Sequence, residues 1–154
     1  MKYKVFVTTF LLATCAVCAE PPPIQQAASN LAVNVIGKKN MRKVSAVEQV
    51  GGGYAVTVEY TAGMGWNARS TRRALTYEFK RVAKAILADP ACRQICEITL
   101  VPIAKSTKNE DFTMARMMIP RKDLDRIDWA AVLPERLEAL AKSKGELWYH
   151  PAAR

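Results

Sequence analysis

Histidine is almost missing from this chain: of 154 residues only His150, close to the C-terminal end, carries an imidazole. A Ser-His-Asp or Cys-His arrangement would have to recruit that one tail residue. Zinc is no better served, because a tetrahedral site needs four nitrogen or sulfur ligands and the chain offers one histidine and few cysteines. No apolar run reaches the roughly twenty residues that a membrane-spanning helix requires. The glycine run Gly51-Gly52-Gly53 lacks the Gly-Lys-(Ser/Thr) ending of a phosphate-cradling loop, and a strand rather than a helix is expected after it. A hairpin turn is the reading that remains. Dense acidity is confined to Asp123, Asp125 and Asp128, which follow a proline and precede Trp129. That stretch has neither the central glycine nor the closing glutamate of a calcium loop, and capping of a short helix explains it more simply. No catalytic residue, metal or cofactor is therefore assigned. A hydrolase with an unrecognised site, built on His150 or the acidic cluster, stands as the last alternative.

The chain begins with Met1-Lys2-Tyr3-Lys4, an uncharged and mostly apolar run from Val5 to Val17, and a Val17-Cys18-Ala19 ending before Glu20. A short basic region, an apolar core and small residues at a cut site make the pattern of a secretory signal peptide. The run is too short to span a bilayer, and Pro21-Pro22-Pro23 cannot continue a helix. Cleavage is expected after Ala19, with a retained anchor or a lipid on Cys15 or Cys18 as rivals. Lipoprotein signals resemble Leu-(Ala/Ser)-(Gly/Ala)-Cys, and Thr14 and Val17 depart from that pattern before the two cysteines. Removal of 19 of the 154 residues leaves 135, and the loss of Lys2 and Lys4 lowers the formal charge from +9 to +7. The expected location is periplasmic or secreted, and a basic product there is attracted to polyanions. Cys15 and Cys18 leave with the signal, so Cys92 and Cys96 remain as an even pair in an oxidising compartment, which predicts a disulfide. Their Cys-x-x-x-Cys spacing has one residue more than the common redox motif, so a local structural staple is the expectation.

After a linker over Glu20 to Pro23, one small α+β domain is expected over 24–154. Helical spacing covers Ile24 to Ile36, with Gly37 as the stop. Strands are expected over Val44 to Val50 and Tyr54 to Thr61, the second alternating Tyr54, Val56, Val58 and Tyr60 with smaller or polar residues. The clearest helix runs from Thr71 to Ala88 along Leu75, Phe79, Val82, Ala83 and Ile86, with Asn67 or Ser70 as its cap. A second strand pair is expected over Cys96 to Ala104 and Phe112 to Ile119, where Pro102 argues for an edge strand or a bulge. A last helix opens at Pro134 and ends near Lys144-Gly145, leaving a tail that docks or frays. The order α-ββ-α-ββ-α predicts a four-stranded antiparallel sheet made of two hairpins, with helices mainly on one face.

One basic, aromatic segment stands out: Trp66, Arg69, Arg72 and Arg73, extended along the helix by Lys80 and Lys84. Arginine beside an aromatic ring can hold a phosphate while the ring lies at a lipid interface, and a helix N-terminus favours anions. The plainer alternative is a solvated helix face with Trp66 packed at the rim of the core. The first functional expectation is an exported, non-enzymatic domain acting through contacts with an envelope protein partner. The second is a domain that binds a polyanion or anionic lipid through the basic helix face. No nucleic acid partner is expected in that compartment. Intact mass of the product purified from its native envelope should correspond to Glu20 to Arg154. A chain still starting at Met1 would overturn the export reading.

Overall fold

A computed structural model of the chain describes residues 22–151. The expected signal peptide, the first linker residues and the last three residues lie outside that range. In chain order the elements are α1 (Pro23–Ile36), β1 (Met41–Glu48), β2 (Tyr54–Thr61), α2 (Ala68–Ala88), a 3-10 turn (Pro90–Cys92), β3 (Ile95–Lys105), β4 (Asp111–Thr113), β5 (Ala115–Pro120), α3 (Arg121–Leu124), α4 (Pro134–Lys144) and β6 (Glu146–Tyr149). Pro23 opens α1 instead of closing a linker, as proline at a first helical turn has no hydrogen bond to lose.

The fold is α+β, but the sheet is mixed and six-stranded, not four-stranded and antiparallel. Its order is β1-β2-β3-β5-β6, with β4 also paired to β3. β2 and β3 run parallel, with Val56 opposite Ile98 and Val58 opposite Leu100. The reason lies in the length of α2. Its 21 residues span about 31 Å, slightly more than the ~26 Å of an eight-residue strand. The helix therefore carries the chain back to the end of the sheet where β2 began, and the next strand starts alongside it. The other pairings, β1 with β2, β3 with β4 and β5, and β5 with β6, are antiparallel.

The expected strand over Phe112 to Ile119 is two strands. β4 pairs with the Ile103–Lys105 end of β3 and β5 with the Glu97–Leu100 part. Pro102 lies between these two stretches and has no N–H for a ladder. Its carbonyl accepts from the N–H of Met114 at 2.9 Å, at the break between β4 and β5. Pro102 thus marks an irregularity in a central strand and not an edge. The tail docks: Leu147 lies opposite Met117 and Tyr149 opposite Ala115, which extends the sheet by one strand.

Period-two alternation sorts the strand residues between two faces. Val44, Val56, Val58, Ile98, Leu100, Met117 and Ile119 are buried, together with Ile24, Ala28 and Ala32 of α1, Phe79, Val82, Ala83 and Ile86 of α2, and Leu137 and Ala141 of α4. The opposite face carries a row of paired residues, Ser45, Thr57, Thr99, Met118 and Glu146, one from each strand on the main path. Arg121 ties one end of the sheet together. Its Nη1 donates to the carbonyls of Cys92 at 2.8 Å and Arg93 at 3.3 Å, and its Nε faces Asp125 at 3.4 Å. Arg42 does the same at the other end, donating from Nε to Thr61 Oγ1 and from both Nη atoms to Asp111. That pairing holds the Asp111 carboxyl below the usual carboxylate range. In the β1–β2 hairpin Gly51, Gly52 and Gly53 all have positive φ, from 86° to 102°, which explains the glycine run.

Gly145 has the closest backbone neighbour of the described glycines. A Cβ there would lie 2.9 Å from the carbonyl carbon of Met118 and nearer still to its oxygen. Gly145→Ala should cost more than about 2 kcal/mol in chemical denaturation, because backbone and not a movable side chain is in the way. Gly63→Ala, where a Cβ meets nothing within 4 Å, should stay within about 0.5 kcal/mol. Equal stability of the two variants would contradict the docking of β6 on β5.

Candidate functional site

The residues between β2 and α2 form a short, tightly held loop. Ala62 N–H donates to the carbonyl of Ile103 at 2.8 Å, fixing the loop to β3. Gly65 N–H donates to Thr71 Oγ1 at 3.0 Å, fixing it to α2. Asn67 caps α2 by accepting from Ser70 N–H at 2.8 Å, while Ser70 Oγ accepts from Asn67 N–H at 3.1 Å. This reciprocal capping box satisfies donors that a helix start leaves open. A Cβ at Gly65 would lie 2.9 Å from Thr71 N, so only glycine lets the loop approach the helix so closely. Met64 is more than half exposed and Trp66 fully exposed. Trp66 does not pack at the rim of the core.

The basic residues expected to join Trp66 divide into two groups. Arg73 faces Glu135 at 3.6 Å, and Lys80 Nζ donates to the carbonyl of Val132 at 3.0 Å. These two brace the start of α4 against α2. Arg69 and Lys84 are exposed and Arg72 is half-buried. Among the described residues, no ion pair engages these three. Tyr77, more than half exposed, was missed by sequence reasoning. Its signal was spacing: Arg69, Arg73 and Tyr77 fall four residues apart, and Lys84 follows seven on, which makes one outward ridge.

Two cavities flank α2 and α4. The larger, about 640 Å³, lies between α4 and the segment before it, with Ile127, Leu133, Leu137 and Leu140 as apolar walls and Arg126, Arg136 and Lys144 as cations. Asp123 and Asp128 of the acidic cluster also line it. Asp128 Oδ1 accepts from the N–H groups of Ala130 and Ala131, which closes a turn and not the start of a short helix as expected. Asp125 faces Arg121 instead. His150 is not among the groove's lining residues. Its ring packs 4.8 Å from Phe112 and edge-on to Trp148 at 6.2 Å.

The smaller cavity, about 160 Å³, lies beneath the loop and is lined by Ile36, Asn40, Tyr60, Thr61, Ala62, Gly63, Ala74, Leu75 and Glu78. Tyr60 is buried, and its Oη has no hydrogen-bond partner; the same holds for Glu78 Oε2. Glu78 Oε1 faces Arg81 at 3.5 Å. Burial pushes the Tyr60 phenol well up from its ordinary value, with Glu78 and Tyr149 adding to the rise, so it stays neutral. Neither Tyr60 nor Glu78 was singled out in the sequence, where Tyr60 reads as one more apolar strand residue and Glu78 as a solvated helix residue. Among the described residues, no group of three or more His, Cys, Asp and Glu could hold a metal ion, and no helix is long and apolar enough to cross a membrane.

The expected Cys92–Cys96 disulfide is not formed; both are free thiols. Cys92 sits in the 3-10 turn as part of the core between helices and sheet. Cys96 lies in β3 at the register shift against β2, where its Sγ packs beside Gly53. The two side chains serve different packing sites, so short sequence separation does not bring the sulfurs together. Burial also pushes the Cys92 thiol up, with Asp89 adding to the rise.

Comparison of the chain with protein-family models, curated proteins and solved structures finds no match.

Thiol labelling of the native protein without reductant should modify the half-buried Cys96 first, and Cys92 only on unfolding. Detection of no thiol even after unfolding would restore the bonded pair.

Proposed function

We propose that this chain is an exported, non-enzymatic domain that works by contact with an anionic surface of the cell envelope. Its contact surface is the Met64–Trp66 loop with the outer ridge of α2. Export rests on the Met1 to Ala19 pattern, and the basic balance of the remaining chain agrees with an anionic target. The observation that carries the reading is the position of Trp66: a fully exposed indole on a loop fastened at both ends, beside exposed Met64 and Arg69. An indole suits an interface where one part of the ring meets apolar chains and its N–H meets water or headgroups. Arg69 and Lys84 add attraction to an acidic leaflet, about 1 kcal/mol for each basic residue near the surface. Tyr77 extends the same ridge with a second amphipathic ring.

A protein partner in the envelope is the second reading. The apolar groove beside α4, with Leu133 largely exposed at its wall, favours it. Such a partner would be lost on Leu133→Asp and kept on Trp66→Ala.

Co-sedimentation with vesicles separates the readings. The cleaved protein should bind vesicles containing anionic lipid at low salt, and the binding should fall as salt screens exposed charge. Trp66→Ala and the pair Arg69→Glu with Lys84→Glu should each weaken it at least about tenfold. Lys108→Glu, in the exposed β3–β4 connection, should change it far less. Vesicle binding indifferent to Trp66, Arg69 and Lys84 would overturn the proposal.

A further inference from the structure

We propose that the groove beside α4 binds a single acyl chain with a carboxylate head, the chemistry of a free fatty acid. The inference goes beyond the contact surface proposed above and does not rest on it. It gives the groove a small amphiphile in place of a protein partner. The groove's volume, about 640 Å³, falls within the ~300–1,000 Å³ usual for small-molecule sites. Its lining is apolar where it meets solvent: Leu133 is largely exposed, and Ile127 and Leu140 are half-buried. An acyl chain laid there removes that surface from water. The facing wall is held in place from behind. Lys80 Nζ donates to the carbonyl of Val132 at 3.0 Å, and Val132 N–H donates to the carbonyl of Asp128 at 2.9 Å.

The charge on the lining selects the head. Arg136, Leu140 and Lys144 recur at intervals of four along α4, so the helix turns a leucine between two cations toward the groove. Arg126 joins them from the other wall. All three cations are exposed, and among the described residues none stands in an ion pair. Of the two carboxylates on the lining, Asp128 accepts the N–H groups of its own turn, and Asp123 Oδ2 is closed off from solvent. Three cations against two carboxylates leave a balance of one positive charge, the complement of a monoanion. Arginine presents a planar fork of N–H donors that matches a carboxylate. A quaternary ammonium head would meet like charge, and a phosphate monoester, at about −1.5 to −2, carries more charge than the lining balances.

The size of the groove favours a slender ligand over a protein. α4 has 11 residues, which limits the trough to about 16 Å along the helix. A standard protein interface takes about 800 Å² from each partner, far more than a trough of that length and about one helix diameter in width offers.

The test titrates the cleaved chain by calorimetry at neutral pH and low salt with octanoate, decanoate and dodecanoate, and with decyl phosphate and decyltrimethylammonium. Decanoate should bind one to one, at least about tenfold tighter than decyltrimethylammonium. Each added pair of methylenes should tighten carboxylate binding at least about threefold. The pair Arg136→Glu with Lys144→Glu should weaken decanoate at least about tenfold, and Leu133→Asp should weaken it about threefold or more, with unchanged far-UV dichroism and melting. Trp66→Ala should leave it unchanged, which separates this site from the contact surface. No binding, equal affinity for the carboxylate and the ammonium, or binding indifferent to chain length or to the Arg136 and Lys144 reversals overturns the proposal. Decyl phosphate binding tighter than decanoate overturns the choice of head, and loss of decanoate binding on Trp66→Ala overturns the choice of groove. A protein partner lost on Leu133→Asp, from a chain that ignores decanoate, overturns it in favour of the second reading above.

Discussion

The parallel pairing of β2 with β3 is the constraint on which the remaining geometry depends. Two strands that are adjacent, parallel and joined by a helix require the chain to leave one end of the sheet and re-enter at the other. α2 makes that passage over Ala68–Ala88, and the β2–β3 register from Tyr54 to Thr61 is its result. The turn from β2 into α2 is therefore a corner fastened on two sides. The Ala62 bond to Ile103 and the Gly65 bond to Thr71 hold it there. With the backbone directed by those bonds, the Trp66 side chain faces solvent and Met64 is more than half exposed. The same corner roofs the cavity that contains Tyr60 and Glu78. Crossover, exposed indole and polar cavity are one piece of geometry.

Much of the local structure is legible in the residues. The alternation of Val56, Val58 and Tyr60 marks β2, the stripe from Leu75 to Ile86 marks α2, and Asn67 with Ser70 marks its start. These signals are short-range, and each depends on neighbours within about a turn or a strand pair. The parallel pairing is not legible in the same way. It depends on whether β3 joins β2 or stands apart from it, which is a matter of contacts some forty residues apart. Two hairpins separated by a helix give the same local pattern in either arrangement. The tail shows the limit from the other side. Glu146–Tyr149 is too short and too mixed to declare a strand, and only the free edge of β5 makes it one. The cysteine pair failed for a related reason: four residues of separation say nothing of side-chain direction when a 3-10 turn leads into a register shift.

The proposed contact surface was half legible. Trp66 and Arg69 stand where basic and aromatic residues cluster in the sequence, but Arg73 and Lys80 turn to Glu135 and Val132. Charge on a helix is counted easily from a sequence, whereas the acceptor that engages it comes from another element.

The central claim is that the corner between β2 and α2 buries Trp66 in an anionic membrane surface. Emission of Trp66 in a Trp129→Phe, Trp148→Phe background tests it most directly, using anionic vesicles whose acyl chains carry bromine. The account predicts a blue shift with quenching by the brominated chains and protection from aqueous iodide. Emission that remains that of a water-exposed indole, with iodide access unchanged and no bromine quenching, would contradict it.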